Sequence, residues 1–137
     1  MPSSAGGVAW LRGEVAGCRA NRGAERVQIR IGAQHHAALA ERSPSVPIIV
    51  GALGGLNAMD LIDLAVARPN LCIDLSSALQ VFMVKSAAHA VPEQCLFGSN
   101  TPYGDVLAAR TTVEAAIADP DVLRRVLGEN FDQLINR

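Results

Sequence analysis

The sequence predicts a parallel α/β fold assembled from βα units. Three observations carry this. Short apolar runs rich in β-branched residues end at Gly, Pro or Ser, stretches of helical period separate them, and the connections are short. Strand followed by helix recurs four times, and each recurrence is legible in its own residues.

The first unit begins at Val27. "VQIRI" (27–31) alternates and is β-branched, so it predicts a strand, and "HHAALAER" (35–42) predicts a short helix closed by Ser43-Pro44. "VPIIVG" (46–51) is a continuous apolar run bounded by Pro and Gly, the pattern of a strand buried on both faces. A helix follows "ALGG", from about residue 56 to 68, with Asn57 and Asp60 as its amino-terminal cap and Leu56, Met59, Ile62 and Val66 as its inward face. "NLCIDL" (70–75) is the third strand. Ser76 and Ser77 are placed to cap the next helix, which runs to about Ala90 with Leu79, Phe82, Met83 and Ala87 inward. "CLFG" (95–98) is the fourth strand. Its helix follows the Pro102–Gly104 turn, with Asp105 as cap and Val106, Ala109, Val113 and Ile117 on one face. Two short helices, 121–127 and 129–136, end the chain. Four such units form either a small open sheet or half of an eight-unit barrel, which takes about 250 residues, and periodicity alone does not choose.

Composition narrows the class. A chain of 137 residues suits one domain, and its only shift in composition falls near residue 26, which divides a leader (1–26) from a domain (27–137). Half the residues are hydrophobic, yet Asp60, Asp63, Asp74 and Lys85 interrupt the apolar stretches, and no run approaches the roughly 18 residues that cross a membrane. Arg12, Arg19, Arg22, Arg26 and Arg30 make the amino terminus mildly basic. It has no Lys cluster and no aromatic interleaving beyond Trp10, so nucleic-acid binding is not expected. Cys18, Cys72 and Cys95 have no C-x-x-C spacing, which argues against structural zinc. Their odd number, with no secretory pattern at the start, predicts the cytoplasm.

Four segments in order, "VPIIVGALGG", "RPNLCIDLSS", "CLFGSNTPYGD" and "VLGENFDQLI", resemble the carboxyl-terminal half of the amidohydrolase-related metal-dependent hydrolases, the group that includes the aminocarboxymuconate-semialdehyde-type decarboxylases. The resemblance covers about residues 27–137. It implies the last four strands of a (β/α)₈ barrel and, in the family, a divalent metal, usually zinc, held by histidines and an aspartate at the carboxyl ends of the strands. There the metal acidifies a bound water and the aspartate handles its proton, for hydrolysis of C–N bonds or decarboxylation of a small aromatic acid.

Carried over residue by residue, the resemblance takes that chemistry away. The sixth-strand histidine of the family's G-H-x-G-G falls on Ala52 of "GALGG", and the eighth-strand aspartate of F-G-S-D-x-P falls on Asn100. The fifth-strand histidine falls near Arg30, whose guanidinium has no lone pair for a metal. The paired histidines of the first strand have no counterpart, since nothing before Val27 reads as four further βα units. The expectation is therefore a truncated relative without independent catalysis and with no metal or other cofactor of its own. Its open strand edges would be closed by a second copy or by a complementary half-barrel chain.

Other residues carry weaker chemistry. His35 and His36 are adjacent on a helix, about 100° apart, a poor arrangement for sharing one metal. Asp74 ends a strand and faces either the barrel mouth or solvent. Arg30, His35, His36, Asp74 and Asn100 together would suit a vestigial site for a small carboxylate, since a guanidinium pairs well with one. The glycines of "GALGG" lack the Lys-Ser/Thr of a phosphate loop, and Ser99 and Thr101 have no His or Lys partner to make a nucleophile.

Overall fold

The computed structural model describes residues 9–10, 33–77 and 80–136. The elements run β1 (Ala9–Trp10), α1 (Ala33–Arg42), β2 (Ile48–Val50), a 3₁₀ turn (Ala52–Asn57), α2 (Ala58–Ala67), β3 (Leu71–Asp74), α3 (Val81–Ala90), β4 (Cys95–Leu96), α4 (Val106–Ala116), α5 (Pro120–Arg124), a wide π turn (Arg125–Glu129) and α6 (Asn130–Ile135). The strands form one parallel sheet in the order β1-β2-β3-β4. Ile48 pairs with Leu71, Val50 with Ile73, and Asp74 with Leu96. Among the described residues each strand lies beside its predecessor, and the carboxyl ends of β2, β3 and β4 share one rim.

The fold class is thus α/β with a small parallel sheet. The strand expected at 27–31 lies outside the described residues. Within the stretch read as a leader, Ala9–Trp10 pairs parallel with β2.

Alternation along the strands assigns two packed faces. Ile48, Val50, Leu71, Ile73 and Cys95 join Leu61, Ile62, Ala65, Val84, Ala87 and Val113 in the main core, between the sheet and α2, α3 and α4. The intervening residues Ile49, Cys72 and Leu96 cluster with Leu134, and Phe131 packs against them, so α6 serves the second face. A strand with both faces covered reads as an unbroken apolar run, as "PIIV" does.

Two helices present other faces than their sequences predict. In α2 the buried stripe is Ala58, Leu61, Ile62 and Ala65, while Met59 and Val66 are 48% and 61% exposed. In α3 it is Val84, Ala87 and Ala88, and Phe82 is 59% exposed. The cause is the same in both. Small alanines permit close approach of helix to sheet, and the larger side chains lie one position off the seam. Caps differ too. Asn57 makes no cap hydrogen bond because the 3₁₀ turn leads directly into α2. Ser76 and Ser77 do not cap α3, whose N-cap position is Gln80. Asp105 does cap α4, accepting from the Ala108 amide at 2.8 Å.

The amino-terminal ends of the strands carry a repeated device. Asn70 donates through Nδ2 to the carbonyls of Ala40, Ser43 and Val46 at 3.0–3.2 Å. Gln94 donates through Nε2 to those of Ala65, Arg68 and Leu71 at 2.6–3.1 Å. Asn130 donates to Pro92 at 2.7 Å and Cys95 at 2.8 Å. Each amide thus ties together the helix-to-strand junction of the preceding unit, gathering carbonyls three residues apart, several of which also accept a backbone amide of the turn.

Candidate functional site

The opposite rim, at the carboxyl ends of the strands, is where parallel α/β folds place their chemistry. Asp74 ends β3 and is half-buried there. Its Oδ1 accepts the Ser76 amide at 2.9 Å and its Oδ2 accepts the Ser76 hydroxyl at 2.7 Å, so the carboxylate shapes its own turn. The same carboxylate lies against Gly98 so closely that a Cβ there would overlap it, and it sits 3.8 Å from where a Cβ on Gly51 would be. Asp74 therefore occupies the point where the ends of β2, β3 and β4 converge.

Around it the backbone is strained. Ala52 (φ 55°), Leu53 (φ 48°), Ser77 (φ 58°) and Asn100 (φ 57°) all adopt the left-handed conformation. Non-glycine residues rarely do so, and each instance costs about 1–3 kcal/mol unless its surroundings hold it. These residues follow three successive strands, so the strain is a property of the rim.

Asn100 is exposed at the tip of its loop, and its Nδ2 donates to the Ser77 Oγ at 2.8 Å. That bond joins the loop after β4 to the loop after β3. Beside it, the Ser99 and Thr101 hydroxyls share a 2.9 Å hydrogen bond. Ala52, the first residue of the 3₁₀ turn, is exposed and offers no donor atom.

His35 and His36 lie in the first turns of α1. His35 is exposed and His36 half-buried, with burial first and the neighbouring His35 second holding the His36 pKa below the usual 6.5. Arg30 lies outside the described residues. Cys95 is fully buried, and burial, with Cys72 second, pushes its thiol up to about 12, which keeps it protonated and poorly nucleophilic at neutral pH. Among the described residues no group of three or more His, Cys, Asp or Glu side chains is placed to hold a metal ion. Ala52 and Asn100 do not fit a zinc site: one supplies no ligand atom, and the other is neutral with its nitrogen committed to Ser77.

Next to the rim a cleft of about 420 Å³ opens between the 3₁₀ turn, the first turn of α2 and the start of α3. Ala52, Leu53 and Met83 line it, together with Ser77 and Gln80. Sequence reasoning passed over Ser77 and Gln80. Their sequence pattern places both in a helix, Ser77 as its cap, and the φ of Ser77 that turns the chain away is not a property of serine. No family model matches the chain, and no curated protein matches it.

Proposed function

We propose that this chain is a degenerate member of the amidohydrolase-related group, a carboxyl-terminal half-barrel scaffold whose metal-binding and proton-transfer positions have been replaced. What supports the reading is the coincidence of two independent facts at one rim. The positions that the resemblance assigns to a metal-binding histidine and a catalytic aspartate are Ala52 and Asn100, and both stand in left-handed backbone at strand carboxyl ends. Strain of this kind gathers at functional sites.

The observation that carries the proposal is the hydrogen bond from Asn100 Nδ2 to Ser77 Oγ. An aspartate there would only accept, and it would be free to balance a metal's charge or take a proton from water. The amide donates instead, and it fastens two rim loops together. Where the family spends this residue on chemistry, this chain spends it on structure. The role that follows is a binding scaffold without hydrolytic or decarboxylating activity of its own.

Elemental analysis of the purified chain tests this. The unmodified chain is expected to hold less than about a tenth of an equivalent of zinc or manganese after incubation with either metal. Asn100→Asp with Ala52→His restores two of the family's donors and is expected to raise that occupancy. Close to one equivalent on the unmodified chain would overturn the proposal and return His35, His36 and Asp74 to candidacy as ligands.

A further inference from the structure

The cleft beside the rim has features that the loss of a metal site does not explain. Its floor is apolar: Leu53 and Ala58 are 3% and 5% exposed, with Met83 half-buried beside them. Its volume of about 420 Å³ falls in the range of small-molecule sites, about 300–1,000 Å³. Ala52, Leu53, Gly55 and Ser77 all reach it in left-handed backbone, so the strained segments of two loops wall the same cavity.

Its polar groups are few and uncommitted. Among the described residues, the side chains of Asn57, Gln80 and Asp60 have no hydrogen-bond or ion-pair partner. Ser77 accepts from Asn100, which leaves its own proton to give. Among the described lining residues, Asp60 carries the one acidic side chain. It stands in the first turn of α2, where negative charge is favoured, so it already fills the place an anion would take at that helix end. Among the described lining residues, an anionic ligand would meet this carboxylate with no cation to offset it. An ammonium group would pair with it, while an apolar body lay on Leu53 and on Met59 and Met83, which also line the cleft and whose thioethers adapt to flat rings.

We propose that this cleft is a binding site for a small organic amine with an apolar, ring-sized body. The ammonium sits at Asp60, and Ser77, Gln80 and Asn57 orient any further polar group. This inference stands on the cleft alone, so the metal measurement and the binding measurement can fail separately.

Tryptamine, tryptophol and indole-3-propionate share one ring and differ in carrying a cation, a neutral hydroxyl or an anion. Titrated into the full chain at pH 7 and followed calorimetrically, tryptamine is expected to saturate below about 1 mM and to bind about fivefold to tenfold more tightly than tryptophol. Indole-3-propionate is expected to bind weakest. Asp60→Asn, an exposed substitution, is expected to bring tryptamine to the level of tryptophol while lowering the melting temperature by no more than a few degrees, through the loss of a favourable charge at the helix start. Met83→Trp fills the cleft and is expected to abolish binding of all three. Gln80→Trp, at an exposed wall position, serves the same purpose should Met83→Trp fail to fold. Absence of saturable tryptamine binding, an anion that binds as tightly as the amine, or tryptamine affinity unchanged in Asp60→Asn would each overturn the proposal.

Discussion

Amide side chains do opposite things at the two ends of this sheet. At the carboxyl rim, Asn100 uses its nitrogen to bridge two loops. At the amino-terminal ends, Asn70, Gln94 and Asn130 use theirs to collect carbonyls from helix-to-strand junctions. Asn130 is the most consequential of these, because it is 4% exposed and one of its acceptors is the carbonyl of Cys95, a β4 residue that is itself fully buried. Removing the amide leaves two carbonyls without that donor. With each net hydrogen bond worth about 1 kcal/mol and an unsatisfied buried group costing more, Asn130→Ala is expected to lose about 2–3 kcal/mol of stability. Asn130→Asp is expected to lose at least as much at neutral pH, since a carboxylate brings only acceptors toward those oxygens. Urea denaturation of the three proteins checks both, and a change within about 0.5 kcal/mol, the range of ordinary surface substitutions, would mean the clamp is dispensable. Asn130 was visible in the sequence as part of a closing motif, yet its task was not, because its acceptors lie 35 and 38 residues away.

Elements were legible where the sequence decides locally and illegible where packing decides. The strands at 48–50, 71–74 and 95–96 fall inside the runs that predict them, and α1 and α4 keep close to their expected bounds. Asp105 caps α4 as its chemistry requires. The faces of α2 and α3 are another matter. Met59 and Phe82 look like core residues by hydrophobicity, but the seam is set by Ala58, Ala65, Ala87 and Ala88, whose small size lets the helices sit close on the sheet. The rim was half legible. The sequence flags Asn100, Ala52 and Asp74, while the strained turns and the partnership with Ser77 arise only when two loops meet. The α1 helix carries a pH dependence of its own. His36 has a folded-state pKa below 6.5, so the unfolded chain binds more protons at mildly acidic pH and stability falls as pH drops below about 6.5. Above that value both states hold the imidazole neutral and the contribution is flat. His36→Gln is expected to flatten the decline between pH 6.5 and 5, measured as melting temperature against pH, and an unchanged slope would assign the decline to other groups.

The whole molecule faces a difficulty common to open parallel sheets. Its strands need cover on both faces, and its last strand presents an edge. One face is met by α2, α3 and α4. The chain's own carboxyl terminus meets the rest: Leu134 and Phe131 of α6 pack on the side of Ile49, Cys72 and Leu96, and just beyond the end of β4 the Phe97 amide donates to the Val126 carbonyl at 3.0 Å. Asn130, one turn away, fixes that segment to the base of β4. The edge that an open half-barrel is expected to offer to another chain is therefore partly occupied from within. In a closed barrel the second face would turn inward and be filled by side chains of the other strands; here a helix does part of that work. It follows that α6 is an integral layer of the fold. Deleting residues 130–137 is expected to uncover Ile49, Cys72 and Leu96 together, remove the Asn130 clamp, and leave a chain that unfolds without cooperativity or self-associates through the uncovered face. Sedimentation velocity and thermal melts of the shortened chain distinguish the outcomes. A monodisperse monomer melting within a few degrees of the full chain would mean that something other than α6 protects the second face.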